Sequence, residues 1–374
     1  MCIVLVSTQH PRYPLIILNN RDEFLHRATA RASLWDTPET AHIFSGRDLA
    51  RPERGTWLGV TQQGRITILT NFRESSTAAA IGTRSRGAMV NAFLTAPDTS
   101  IRSVKEWVHH LLTADGDEGC KNVGGFSLIC GTIRPKRGAT DNGERIQLEP
   151  LAVISNRMQK AGEANETHWI CSKPDQVYAL SNDPFESPRP WPKVMLGKDL
   201  MRQAVEKAIK EESSEDEMIE AFFGVLSHDT IPKIPGRQTY DTDLESLRHS
   251  VFIPAFDVHK ESQQSSIPNE NCATQSTTPP ISIPPPIRNH EVHQICATPT
   301  NSDFPSDLHP PNGVPFDSPR VYGTQNQTII LVDRAGRLKY IERTLYNDKA
   351  EWVGGVENED RDIVYEFQIE GWVP

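Results

Sequence analysis

Cys2-Ile3-Val4-Leu5-Val6, followed by Leu15-Ile16-Ile17-Leu18 running directly into Asn19-Asn20-Arg21-Asp22-Glu23, is the stretch on which the fold turns. Both apolar runs are too short for a helix and have the length of buried strands. His10-Pro11-Arg12-Tyr13-Pro14 breaks the chain between them, so the pair reads as a hairpin. Apolar character stops at Leu18, so the second strand is expected to end there and the polar run to form a loop at its tip. That detail matters, because neighbouring residues on a regular strand point to opposite faces. Arg21 and Asp22 share one pocket only if the strand has ended or bulged.

The same texture recurs along the chain. Thr56-Trp57-Leu58-Gly59-Val60 and Arg65-Ile66-Thr67-Ile68-Leu69-Thr70 flank Gln62-Gln63-Gly64, a hairpin signal. Further short strands are expected at 43–45, 125–131, 151–154, 168–170, 177–180, 328–332, 338–341 and 363–367. Asp333-Arg334-Ala335-Gly336 supplies another turn. Apolar residues at helical spacing mark 87–94, 104–112, 200–209 and 218–226. Many strands, repeated hairpins and few helices predict an α/β (α+β) protein of stacked, largely antiparallel sheets with helices outside.

Hydrophobic residues make up 37% of the 374, too few for every part of the chain to join a core. The shortfall concentrates in 259–320, rich in Pro, Ser, Thr, Asn and Gln, which reads as a disordered insertion. The predicted organisation is one domain, 1–258, interrupted by 259–320 and completed by 321–374. A net charge of −10 without a basic cluster speaks against a nucleic-acid partner. The six cysteines form no C-x-x-C pair, so no structural metal site is expected and the thiols read as reduced. Neither a signal peptide nor a ~20-residue transmembrane run appears, and an intracellular, cytoplasmic protein is expected.

Four sets of residues can carry chemistry. Cys2 becomes a nucleophile with its own base if Met1 is removed, because a free α-amine titrates at about 7.7–8 and can take the thiol proton. Equally, Cys2 can pack as a small hydrophobe. Asn20, Arg21, Asp22 and Glu23 form the second set. A guanidinium binds carboxylate or phosphate in bidentate fashion, and Asp22 could hold the Cys2 amine or orient Arg21; a solvated charged loop is the plainer reading. Arg47, Asp48, Asn71, Arg73 and Arg86 follow strand ends or precede a helix, and with Arg21 they could line a cationic cleft for an anionic or carbonyl-bearing ligand; each alone reads equally as a surface or structural residue, and Trp57 as core or pocket wall. Asn182, in Leu180-Ser181-Asn182, could donate to an oxyanion or cap a turn. No P-loop, dinucleotide fingerprint or G-x-S-x-G elbow is present.

Taken together, Met1-Cys2-Ile3-Val4, Asn19-Asn20-Arg21-Asp22-Glu23, Gly46-Arg47-Asp48, Gly55-Thr56-Trp57-Leu58-Gly59-Val60, Leu69-Thr70-Asn71-Phe72-Arg73 and Ser85-Arg86-Gly87 resemble the NRDE family of transport and Golgi organisation proteins. Trp191-Pro192-Lys193-Val194, Tyr322-Gly323-Thr324 and Glu342-Arg343-Thr344 extend the likeness. The resemblance implies a four-layer αββα sandwich similar to N-terminal nucleophile hydrolases. Cys2 would match the nucleophile, Arg21 and Asp22 its arginine and aspartate partners, and Asn182 the oxyanion asparagine. Members of the family often carry arginine after Tyr-Gly-Thr; here Gln325 stands there. The implied role is Golgi and endoplasmic reticulum organisation and protein secretion, with association to Golgi or mitochondria. A haem cargo or a lipid or acyl metabolite would be the ligand, and no cofactor is required. The alternative is an N-terminal cysteine amidohydrolase acting on a small amide or acyl conjugate.

Overall fold

The computed structural model describes residues 2–72, 84–97, 103–114, 119–120, 123–136, 145–157, 167–232, 246–257 and 321–373. The predicted insertion, 259–320, and Arg73 lie outside them. In chain order come β1 (Ile3–Ser7), β2 (Leu15–Phe24), β3 (Thr29–Leu34), β4 (Ile43–Asp48), β5 (Leu58–Thr61) and β6 (Arg65–Asn71). Helices α1 (Arg86–Thr95) and α2 (Val104–Thr113) follow, then β7 (Phe126–Thr132), β8 (Leu151–Ser155), β9 (His168–Ile170) and β10 (Val177–Leu180). Helices α3 (Pro192–Lys210) and α4 (Glu215–Leu226) precede β11 (Phe256–Asp257), β12 (Val321–Val332), β13 (Arg337–Thr344) and β14 (Asp362–Gln368).

The strands form two seven-stranded antiparallel sheets. One runs β10-β1-β2-β12-β13-β14, with β11 against β12; the other runs β3 to β9 in sequence order. Period-two alternation sorts the side chains of β1 and β2 between two cores. Val4, Val6, Leu15 and Ile17 meet Phe44, Leu58, Ile66 and Ile129 between the sheets. Ile3, Leu5, Ile16 and Leu18 meet Met201, Val205, Phe222 and Leu226 of α3 and α4. On the far side, Leu128, Cys130 and Ile154 pack against Val90, Phe93 and Leu111 of α1 and α2. The order of layers is therefore helix, sheet, sheet, helix, the expected αββα sandwich.

Local chemistry sets the element ends. The Ser214 hydroxyl accepts the Glu217 N–H, and the Glu217 carboxylate accepts the Ser214 N–H, a reciprocal cap that starts α4. Gly64 (φ +82°) and Gly336 (φ +84°) turn the two expected hairpins. β3 and β11 were not expected from the sequence, and three expected elements have other bounds. β2 does not stop at Leu18 but continues through Phe24, because β12 pairs with it from Leu15 to Phe24. β12 likewise starts at Val321, through the polar run Tyr322–Gln327 that faces the polar half of β2. α3 begins at Pro192 rather than near 200, with proline at its first position, where the missing N–H costs nothing. Its Gly197 seats the helix on β1: a Cβ there would lie 2.8 Å from Leu5. Cys2, Cys120, Cys130 and Cys171 are free thiols. Among the described residues no helix is long and apolar enough to cross a membrane.

Candidate functional site

Because β2 continues as a strand, its polar residues divide between its two faces. Asn19, Arg21 and Glu23 follow Ile17 into the space between the sheets; Asn20 and Asp22 follow Leu18 towards the helices. Cys2 immediately precedes β1, and Ile3 pairs with Asn20, so extending the register by one residue sets Cys2 beside Arg21. Its alternation with Val4 assigns it to the inter-sheet face. Arg21 and Asp22 do not share a pocket: the irregularity lies on the other strand, between Thr324 and Asn326 of β12.

Cys2 is half-buried. Its Sγ–H donates to the Asp22 carbonyl at 3.8 Å. Burial pushes the thiol pKa up, and the Asp22 carboxylate adds to this while Arg21 opposes it. The Ser181 hydroxyl holds the Cys2 carbonyl at 2.7 Å, and the Ser181 carbonyl accepts from Thr70 at 3.0 Å. Next door, the Asn182 amide donates to the Asn71 carbonyl. The ends of β10 and β6, one in each sheet, are thereby tied together beside Cys2. Asn71 enters the site through its backbone.

Arg21 is 5% exposed. Its guanidinium lies 4.3 Å from the centre of the Trp57 ring and donates to Gln325 Oε1. Gln325 in turn donates to the Leu25 carbonyl at 3.3 Å. The bulge in β12 thus delivers a neutral acceptor to Arg21 where the resemblance suggested a second cation. Glu23 lies 3.8 Å from Arg21 and 3.7 Å from Arg27, and Arg27 takes both oxygens of Asp48 at 3.1 and 2.7 Å. This alternation of charge leads away from Cys2, so Asp48 anchors Arg27. Arg47 stacks on Trp35 at 3.8 Å and donates to the Arg54 carbonyl. The expected cleft of converging cations is therefore not assembled from Arg47 and Asp48; β4 carries both into contacts of their own. Arg86 opens α1 beside Gly87, which packs on Gly55.

On the helix side, Asn20 donates to the Leu226 and Val251 carbonyls, both at 2.8 Å. It clamps β2 to the end of α4 instead of facing the Cys2 side. Asp22 accepts from Thr324 Oγ1 at 2.7 Å and lies 3.9 Å from the ammonium of Lys193, both side chains fully buried. Sequence reading assigned no role to Lys193, Ser181 or Thr324. Their only signal was membership of motifs shared with the family.

A second polar group lies beside Arg21. Asn19, Thr328 and Glu342 stand directly opposite one another on β2, β12 and β13, and Arg21, Asn326 and Thr344 form the next row. Asn19 Oδ1, Asn326 Oδ1, Thr328 Oγ1, Tyr340 Oη and Glu342 Oε2 are buried without full hydrogen-bond geometry to any described residue. Burial pushes the Glu342 carboxyl up, opposed by the Ala32 N–H, Arg21 and Arg31. A cavity of about 400 Å³ opens where Gln325, Asn326, Thr344, Arg27, Arg31 and Tyr346 meet. No cluster of three or more metal-ligating side chains occurs among the described residues.

The sequence matches the family described as Transport and Golgi organisation 2 over residues 1–347. A Bos taurus Transport and Golgi organization protein 2 homolog is 29% identical over 238 residues, 61% of this chain and 72% of the relative. An uncharacterized Saccharomyces cerevisiae protein is 23% identical over 353 residues, 93% of each chain. Among solved structures, a mutant conjugated bile acid hydrolase from Clostridium perfringens covers 98% of this chain and 97% of its own at 9% identity, with a TM-score of 0.35. A likeness that slight bears on neither fold nor activity. The family match covers every strand except β14 and every residue around Cys2, and the chain belongs to the Transport and Golgi organisation 2 family.

Proposed function

We propose that this chain supports Golgi and endoplasmic reticulum organisation and protein secretion from the cytoplasm, through a cysteine-centred cleft that binds and cleaves an amide or acyl linkage in a small conjugate. The observation that carries the reading is the register that sets Cys2 beside Arg21 on the inter-sheet face, with Asn182 alongside. In the reaction, the α-amine of a mature Cys2 takes the thiol proton and the sulfur attacks the carbonyl carbon. The asparagine amide and backbone N–H groups hold the resulting oxyanion. The amine leaves with the proton, and water then hydrolyses the thioester. The buried amide oxygens of Asn19 and Asn326 support a polar ligand end beside the nucleophile, since buried polar groups ordinarily have partners.

A carrier reading is favoured by the burial of Cys2, which pushes its thiol pKa up and disfavours the nucleophilic thiolate, against the opposing pull of the α-amine and Arg21. On that reading the same cleft holds a haem or acyl metabolite without turnover. Intact-mass analysis of the N-terminus, with Cys2→Ala in a secretion assay, separates the two. Chemistry requires Met1 to be absent and the variant to fail. A retained Met1 with full secretion by the variant overturns it in favour of binding. A haem titration without a Soret shift removes haem as the cargo.

A further inference from the structure

A cavity of about 400 Å³ lies across Arg21 from Cys2. The strand order β1-β2-β12 sets Cys2, Arg21 and Asn326 in one row, and Gln325 and Asn326 line the cavity. Its size is that of a small-molecule site, usually about 300–1,000 Å³. Several polar groups of its wall are committed to other partners. Arg27 holds both oxygens of Asp48. Arg31 donates to the Asp360 and Arg361 carbonyls, and Arg361 lies 3.6 Å from Asp362 and donates to the Gly354 carbonyl. Asn358 donates to the Val353 carbonyl and accepts the Asp360 N–H. Asn326 is different. It is 4% exposed, yet its Oδ1 has no hydrogen-bond partner among the described residues, and its amide N–H reaches Thr344 Oγ1 only at 3.4 Å. Buried polar atoms ordinarily have partners. Turning the amide over exchanges its two ends and leaves the nitrogen unanswered instead.

The charges of the wall decide what kind of ligand answers that amide. Three guanidinium groups, those of Arg27, Arg31 and Arg361, and two carboxylates, those of Asp348 and Asp360, line the cavity. A ligand of either full charge meets a like charge there. A hydroxyl group meets none, and it answers Asn326 in either orientation, because it both donates and accepts. Leu49, Val353 and the Tyr346 ring, itself packed against Trp352 at 5.2 Å, supply apolar wall for a carbon skeleton. We propose that this cavity is a binding site for an uncharged polyhydroxyl compound, a sugar or cyclic polyol, anchored by a hydroxyl on Asn326. The site stands whether or not Cys2 reacts; on the hydrolase reading, the polyol is the polar end of the conjugate.

The test is ligand-observed saturation-transfer NMR on the full-length protein with glucose, myo-inositol, glucuronate and glucosamine. Glucose or myo-inositol should receive saturation, and the charged glucuronate and glucosamine less. Asn326→Leu should weaken binding about tenfold, the worth of one hydrogen bond. Leu49→Trp, at a position 45% exposed, fills the cavity from outside without touching the buried row and should abolish the transfer. No transfer to either neutral compound overturns the proposal, as does stronger transfer to either charged one. Transfer that survives unchanged in a folded Asn326→Leu or Leu49→Trp puts the binding elsewhere and overturns it too. If Asn326→Leu does not fold, the Leu49→Trp result decides alone. Cys2→Ala should bind as the wild type does, so failure of the hydrolase reading in the secretion assay and failure of this site are read separately.

Discussion

Gly46→Ala tests whether Arg21 is held by a stacked support built from three separate segments. A Cβ at position 46 would lie 2.6 Å from Trp57 Cη2 and 2.8 Å from Cζ2. To restore ordinary contact the ring must retreat by about 0.8 Å, from 2.6 to 3.4 Å. Arg21 stacks on that ring at 4.3 Å, so it must follow or lose the contact. Overpacking of this kind costs about 1–3 kcal/mol, and weakening a desolvated cation–π contact adds about 0.5–2 kcal/mol. In urea unfolding followed by circular dichroism, Gly46→Ala should therefore lose about 1.5–5 kcal/mol. In a Trp57→Ala background the clash is gone, and the nearest remaining atom is the Ala30 carbonyl oxygen at 3.3 Å. The same substitution should then cost less than about 0.5 kcal/mol, giving a coupling above about 1 kcal/mol. Equal costs in the two backgrounds would refute the stacked support.

Three further predictions follow from other contacts. Asn20→Ala strands two buried carbonyls, those of Leu226 and Val251, and should cost about 2–4 kcal/mol by thermal melting; a near-neutral result would mean that the end of α4 is held otherwise. Gln325→Leu removes both the acceptor of the Arg21 guanidinium and the donor to the Leu25 carbonyl and should destabilise by about 1–3 kcal/mol in urea, whereas Gln325→Glu, which keeps the acceptor and loses only that donor, should cost less. Burial raises the Glu215 carboxyl, but hydrogen bonds from Arg337, Tyr13 and Lys339 outweigh it and hold the pKa at about 2, against an ordinary 4.5. A depressed carboxyl contributes stability above its unfolded value and loses it as pH falls through its folded one, so the Glu215 contribution should fade between pH 4.5 and 2. Acid unfolding of Glu215→Gln should be flatter across that window; an unchanged slope would assign the acid sensitivity to other groups.

Much of the architecture was legible because it depends on short-range pattern. The runs Ile3-Val4-Leu5-Val6 and Leu15-Ile16-Ile17-Leu18 alternate between two cores, which only a sheet covered on both faces satisfies. Gly64 and Gly336 marked their turns because left-handed backbone favours glycine whatever the surroundings. The prominence of Cys2 and Arg21 was also readable, since a thiol at position two and a cation beyond an apolar strand carry their chemistry in their identities.

What the sequence could not decide was which way each polar side chain faces and what meets it there. Local hydrophobicity ended β2 at Leu18; the strand runs to Phe24 because β12, from the other end of the chain, pairs with it. That continuation separates Arg21 from Asp22 and turns Asn20 into a clamp. The partners that define the site are contributed across long separations: Gln325 meets Arg21 over 304 positions and Thr324 meets Asp22 over 302. Local propensity carries no information about such pairings, because they are fixed by strand register and by the packing of α3 on the sheet. The sequence by itself determined that alternating strands would stack around the segment that carries Cys2. Only the tertiary structure decided that Cys2 and Arg21 belong to one face, and Asp22 with Lys193 to the other.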